Sequence, residues 1–407
     1  MSELRKPKPR NPARALRRPT LPPGGRSRAA LRLTAAAAEG RFELQHCFDC
    51  ATVQYPPRSV CVNCLSHRLE WREIDGAGAL ITDTVLHHSN ELYYRERVPL
   101  RIGTITLDAG PTVLAHLHRD CAAPSRVRVR AHLDKSGQAV LIALPGQDTT
   151  NMADDPMLRE MNSDPKFRKV LITDGRSAVG QALAQALVEA GAEIVWLGIA
   201  EPWKQGEALM LPQAERVPLD LTDEKSVRDL AGVIGGKVDI LINTAELHRN
   251  HTIADRGTET ARAEMEVNYL GLMRLAQAFG PAMRARAAEG TGATAWVNLL
   301  SIYALAALPS HGTFSASKAA ALALSQNLRA EMRDAGIRVV NVFPGPIDDE
   351  WNQLVPPPKV APAALAKAIV AALRDGVEDV YPGDVAQDIV TRFRESQKAL
   401  ERELWDQ

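Results

Sequence analysis

Aromatic side chains are scarce in this chain: seven Phe, six Tyr and six Trp make 5% of 407 residues. A groove for single-stranded nucleic acid needs aromatic platforms set among basic side chains. Tyr93 and Tyr94, with Arg95 and Arg97, form the one such cluster, and a solvated or interface loop accounts for it. Net charge is absent as well. The 49 Lys and Arg balance 49 Asp and Glu, so whole-molecule electrostatics select neither nucleic acid nor a membrane surface. No apolar stretch approaches the ~20 residues of a membrane span. A secretory apolar core is also missing, so a cytoplasmic protein is expected. What remains is ordinary globular composition, 45% hydrophobic and 24% charged, long enough for two or three domains.

The charge balance is uneven along the chain. Residues 1–33 carry ten Lys and Arg against one acid, Glu3. Pro7, Pro9, Pro12, Pro19, Pro22, Pro23 and Gly24-Gly25 fall in the same stretch. Such a segment buries too little apolar surface to fold, so residues 1–40 are expected to be a disordered basic tail. An organelle transit peptide and a docking arm for an acidic partner are the other readings of an Arg-rich, acid-poor start.

Cysteine is rare, and four of the five fall in one window: Cys47-x2-Cys50 and Cys61-x2-Cys64. Each CxxC places two thiolates on one tight knuckle, and two knuckles complete a tetrahedral four-sulfur site suited to zinc. Two disulfides or a metal-free ribbon are the alternatives. Four sulfur ligands leave no position for a reactive water, so zinc here would be structural. Cys121 stands apart and suits a buried apolar role. Short alternating runs follow at residues 78–85, 101–107, 112–117, 127–132 and 139–144, punctuated by Gly76, Gly78, Gly103, Gly110 and Gly137. Five short strands at this spacing predict a small barrel. His87 and His88, at a strand end, receive no role.

The signature Cys47-Phe48-Asp49-Cys50, Tyr55-Pro56-Pro57-Arg58, Cys61-Val62-Asn63-Cys64, Trp71, Gly76-Ala77-Gly78 and Thr82 resembles a family of zinc-ribbon/OB-fold proteins. The likeness spans a ribbon at 41–72 and an OB-type barrel at 73–145. It implies a partner: members accompany thiolase-like or aldolase-like enzymes acting on acyl-CoA. The barrel then contributes to the partner interface or to the path of the CoA tail.

Residues 146–166 are polar and punctuated by Asp154-Asp155-Pro156 and Asp164-Pro165, and are read as a linker. From residue 167 to 407 apolar runs alternate with amphipathic helices. Strands are expected at 169–173, 193–197, 216–219, 238–243, 295–299 and 338–343, with helices at 180–190, 224–234, 261–283, 315–334 and 362–374. That alternation predicts an α/β doubly wound, Rossmann-like parallel sheet covered on both faces.

This unit resembles the short-chain dehydrogenase/reductase family. The frame Asn298-Leu299-Leu300-Ser301, then Phe314-Ser315-Ala316-Ser317-Lys318, matches its proton-transfer centre, with Phe314 where the family has tyrosine. Asn268 matches the asparagine that bends the central helix and holds a water. The family's cofactor loop corresponds to Thr173-Asp174-Gly175-Arg176-Ser177-Ala178-Val179-Gly180, where the first two glycines have become Asp174 and Ala178. Asp174 sets a carboxylate where phosphate belongs, and Arg176 offsets part of it. Asp220 matches the adenine-contacting aspartate. Asn243-Thr244-Ala245-Glu246 matches an Asn-Asn-Ala-Gly turn whose glycine has become Glu246. The resemblance implies NAD(P) held by Thr173, Gly175, Arg176, Gly180, Asp220 and Asn243, although the lost glycines weaken that cradle.

A phenyl ring neither donates nor accepts a proton, so Asn268, Ser301 and Lys318 are left without the acid that lysine tunes. Tyr303 and His311 are the nearby groups that could stand in. The expected function is therefore a non-catalytic accessory subunit of an acyl-CoA-processing complex. A working NAD(P)-dependent oxidoreductase on an acyl-CoA-linked ketone or alcohol is the alternative. The resemblance also implies homo- or hetero-oligomers through the helices at 261–283 and 315–334. Ala316, Ala319, Ala320, Ala321 and Ala323 would permit close helix approach there.

Overall fold

The computed structural model describes residues 19–152, 154–200, 211–288 and 292–406. Its first folded segment lies inside the stretch expected to be disordered. Helix α1 (Leu31–Ala38) buries Leu33, Ala36 and Ala37. Leu33 and Ala37 join the core of the barrel beside Leu44, Val129 and Leu141. The correction has a simple cause. Leu31-Arg32-Leu33-Thr34 and four alanines form a strong helix with one apolar face, a signal diluted by the Pro- and Arg-rich residues before it. Even Pro22 is fixed, its carbonyl accepting the Ser136 hydroxyl at 2.5 Å. Residues 1–18 of the expected tail lie outside the described residues.

The zinc-ribbon sheet is small: β1 (Glu43–Cys47) lies between β2 (Val53–Gln54) and β3 (Leu69–Glu73). The barrel follows as β4 (Ala77–Leu86), a short helix α2 (Leu92–Arg95), β5 (Leu100–Leu107), β6 (Thr112–Leu117), β7 (Ser125–Leu133) and β8 (Ala139–Pro145). It closes in the order β4-β5-β6-β8-β7. Along β7 Val127, Val129 and Ala131 point inward while Arg126 and Arg128 face water, the period-two pattern of a strand with one buried face. Gly76 makes the entry to β4 possible: its φ is +73°, and a Cβ there would sit 1.9 Å from the Val129 carbonyl oxygen.

The expected linker contains a helix, α3 (Pro156–Met161). Asp155 caps it, accepting the Met157 and Leu158 N–H groups at 2.8 and 3.0 Å, and also takes the Arg119 N–H of the barrel at 2.8 Å. Leu158 and Met161 pack on Ile142 and Leu144. One helical turn has too few positions to display a period, which is why it did not read as helix.

Beyond it stands the predicted parallel sheet. Its strands are β9 (Lys169–Ile172), β10 (Ile194–Ile199), β11 (Ala214–Pro218), β12 (Ile240–Asn243), β13 (Ala295–Leu299), β14 (Arg338–Val342) and β15 (Asp379–Val380). They lie in the order β11-β10-β9-β12-β13-β14-β15, all parallel. One apolar layer includes α4 (Ala178–Glu189) and α9 (Pro362–Asp375). The opposite layer includes α5 (Glu224–Ile234), α7 (Gly271–Ala288) and α8 (Gly312–Arg333). Helix α6 (Thr258–Met265) runs into α7 through a π-helical turn, Glu266–Leu270. The chain ends in α10 (Asp384–Glu395) and α11 (Gln397–Glu403), neither expected from sequence.

Candidate functional site

The four expected metal ligands converge. Sγ atoms of Cys47, Cys50, Cys61 and Cys64 all lie within 4.8 Å of one another, with Cys47–Cys64 and Cys50–Cys61 each at 3.5 Å. Zinc–sulfur bonds of about 2.3 Å give a tetrahedron with edges of roughly 3.8 Å, so the spacing fits. The two knuckles repeat one geometry. The residue after each second cysteine, Ala51 or Leu65, is left-handed at φ 56° or 60°. Its N–H bonds back to the carbonyl of Cys47 or Cys61, at 2.9 and 3.1 Å. Non-glycine residues in this region are strained, and the same strain taken twice suits loops shaped around a common ion.

The cofactor loop follows β9. Thr173 Oγ1 donates to Asn243 Oδ1 at 2.9 Å and accepts the N–H groups of Thr244 and Ala245. Gly180 cannot be replaced, because a Cβ there would fall 1.9 Å from the Asp174 carbonyl oxygen. Gly175 is similarly closed in, its Cβ position 2.5 Å from that of Leu197. Asp174 folds its carboxylate inward onto the Arg176 and Ser177 N–H groups, at 3.0 and 3.3 Å. Those amides, which a dinucleotide pyrophosphate would need at a helix N-terminus, are already satisfied. Asp220 accepts both the N–H and the hydroxyl of Thr222, at 2.8 and 2.7 Å.

Asn268 sits in the π-helical turn, and such turns mark functional bends in helices. Its side chain clamps Leu247 from both sides, accepting its N–H and donating to its carbonyl at 2.9 Å each, and donates to Ser317 at 2.8 Å. Ser301 accepts the Tyr303 N–H at 3.2 Å, capping a single turn.

Lys318 is almost wholly buried. Its ammonium donates to the Leu299 carbonyl at 3.1 Å and pairs with Glu246 at 2.7 Å. The acid gained at the Asn-Asn-Ala-Gly turn therefore faces the lysine left idle by the lost tyrosine. Sequence reasoning named Glu246 as a carboxylate near the cofactor but missed this pairing; two substitutions of opposite chemical sense in one frame were the available signal.

His248, also missed, stacks flat on Phe314, with ring centroids 3.9 Å apart and planes 17° apart. Burial, helped by the charge of Lys318, lowers its pKa to about 3. His311 lies 5.0 Å from His248 and 4.9 Å from Tyr303, and burial brings it down to about 4. Burial alone pushes Tyr303 up to about 12, away from the range of a neutral-pH acid. The space left between Glu246, His248, Ser301, Tyr303 and Phe314 is about 10 Å³, room for at most one water.

Three family descriptions match the chain in succession. ChsH2, rubredoxin-like zinc ribbon domain, covers residues 34–70; ChsH2, C-terminal OB-fold domain, covers 71–134; short chain dehydrogenase covers 168–358. The crystal structure of a short chain dehydrogenase from Burkholderia cenocepacia J2315, in complex with NADP, is 37% identical with a TM-score of 0.54. That match covers 59% of this chain and 98% of the other. Short-chain dehydrogenase ptmH of Penicillium ochrochloron is 33% identical over 241 residues, 55% of this chain and 85% of its own length. An uncharacterized oxidoreductase of Staphylococcus aureus (strain USA300) is 29% identical over 211 residues, 50% of this chain and 89% of its own. Through its carboxy-terminal half the chain belongs to the short-chain dehydrogenase family, with a ChsH2-type zinc ribbon and OB-fold joined in front.

Proposed function

We propose that this chain is an accessory, non-catalytic subunit of an acyl-CoA-processing complex built on a thiolase- or aldolase-type enzyme. The observation that carries the reading is the Lys318–Glu246 pair beneath Phe314. Lysine accelerates proton transfer in such a site by lowering the pKa of a neighbouring phenol. Here the phenol is gone, the lysine is held in an ion pair with Glu246, and His248 fills the space above the phenyl ring. The ChsH2-type ribbon and barrel support the partner class. Zinc held by Cys47, Cys50, Cys61 and Cys64 would fix the ribbon and supply no chemistry. Oligomers through α8 are part of the proposal, since Ala316, Ala319 and Ala323 stand exposed at helical spacing.

The second reading, a nicotinamide-dependent oxidoreductase, is favoured by the NADP-bound relative and by the intact Thr173–Asn243 and Gly180 framework. Turnover separates the two. Wild type is expected to leave NADH and NADPH unoxidised with acyl-CoA ketones. Phe314→Tyr alone should stay at background because Lys318 remains tied to Glu246. Phe314→Tyr combined with Glu246→Gly should gain about a hundredfold over background, at the low end of general-acid effects. Wild-type oxidation at ordinary enzymatic rates of ~1 s⁻¹ or more overturns the non-catalytic reading. Purification from the native host tests the partner: a stoichiometric thiolase-like companion is expected, and its absence counts against the accessory role.

A further inference from the structure

A cleft of about 420 Å³ separates the barrel from the reductase-like half. Arg168 immediately precedes β9, Thr294 precedes β13 and Arg338 opens β14, so this is the amino-terminal edge of the parallel sheet. Dinucleotides bind such sheets at the carboxyl ends of the strands. The cleft is therefore separate from the degenerate cofactor loop.

Its walls carry seven basic side chains against three acidic ones. Arg168 and Arg338 make no ion pair among the described residues. Each guanidinium donates instead to a backbone carbonyl, of Gly292 and of Leu133 respectively, both at 2.8 Å. Burial holds both below the usual arginine range, partly offset by the more distant carboxylates of Asp239 for Arg168 and of Glu378 and Asp134 for Arg338, and a desolvated cation with no carboxylate in contact is costly. Arg97 and Lys135 share a single oxygen of Glu160, at 2.7 and 3.0 Å, and Arg97 also reaches Glu96 at 3.6 Å. Thr294 adds a buried hydroxyl without a hydrogen-bond partner.

A second cavity of about 340 Å³ adjoins the first and shares Arg97, Asp134, Glu160 and Met161 with it. Its remaining walls include Tyr94, Leu100, Leu117, Val140 and Met157. A cationic cleft thus opens onto an apolar recess. Guanidinium forks match the oxygens of phosphate groups, and two buried guanidiniums with no carboxylate in contact suit a multiply charged anion.

We propose that this junction binds a phosphorylated small molecule, its phosphate oxygens on Arg168 and Arg338 and its apolar portion beside Tyr94 and Leu117. The site does not depend on whether the reductase centre is silent. Calorimetric titration of the full chain with inorganic pyrophosphate, and separately with adenosine diphosphate, tests it. Saturable binding is expected for both probes, tighter for the diphosphate nucleotide because the recess contributes. Arg168→Gln and Arg338→Gln should each weaken both probes by about tenfold or more. Lys135→Gln, on the partly exposed rim, should weaken them too, and it keeps the fold because Glu160 retains Arg97, which covers the case in which an arginine variant does not fold. Met157→Asp should weaken the nucleotide and spare pyrophosphate. Absence of saturable heat, wild-type affinity in a folded cleft variant, or loss of binding on Arg176→Ala at the cofactor loop overturns the proposal.

Discussion

Two substitutions that look independent in the sequence meet at one atom pair. Phe314 removes an acid and Glu246 supplies one, and the Lys318 ammonium lies over the ring of the first while pairing with the second. Breaking a buried pair by removing one partner typically costs about 3–5 kcal/mol, since the remaining charge has nothing to compensate it. Glu246→Gln should therefore lower unfolding free energy by that order in urea titrations, and adding Lys318→Met should recover most of the loss. The histidines give a pH signature. His248 and His311 have folded-state pKa values of about 3 and about 4, below the unfolded value near 6.5. The unfolded chain binds more protons between those limits. Stability should be full above about pH 6.5 and fall as pH drops towards 4. His248→Phe should reduce that slope by up to one proton, about 1.4 kcal/mol per pH unit. Unchanged slopes in acid-unfolding curves would show that the ring is not held neutral. The individual positions Asn268, Ser301, Phe314 and Lys318 were legible because the frame fixes their spacing. Their partners were not, since Glu246, His248 and Lys318 come together only when β12 and β13 are laid side by side.

At the level of elements, legibility followed burial. Strands covered on both faces are continuous apolar runs, such as Val170-Leu171-Ile172 and Ile240-Leu241-Ile242, and they stand where periodicity places them. The barrel strands read through alternation. Among what escaped were short or context-masked elements, two-residue β15, one-turn α3 and α1 behind a proline-rich lead, and also the longer α10, whose Ala386, Ile389 and Val390 form a narrow buried stripe among charged residues. The ribbon is the element whose stability is most separable. Purified protein should contain one zinc per chain by elemental analysis. Cys61→Ser should lose it, and strong chelators should increase proteolysis within residues 41–72 before the parallel sheet unfolds. Leu33→Ala tests α1, with an expected loss of about 2–5 kcal/mol for a truncated buried leucine; a change within 0.5 kcal/mol would show that the helix is not part of the core.

Across the whole molecule, the two halves are joined by more than a connecting peptide. The Arg338 guanidinium donates to Leu133 of the barrel, Glu378 N–H donates to the Ala38 carbonyl at 2.7 Å, and Arg394 pairs with Glu39 at 2.8 Å. Deleting residues 19–40 should therefore lower the melting temperature of the reductase-like half as well as that of the barrel, seen as a shift of the main calorimetric transition. Two independent transitions, the second unmoved, would show that the halves unfold separately. The Glu378–Ala38 hydrogen bond reaches furthest in its implications. It fastens the end of the first helix to the last edge of the parallel sheet, so the cysteine knuckles joined to that helix through β1 are an outrigger with a fixed bearing, not a bead on a string. Any companion seated on that outrigger meets the rest of the chain in one orientation, settled at folding.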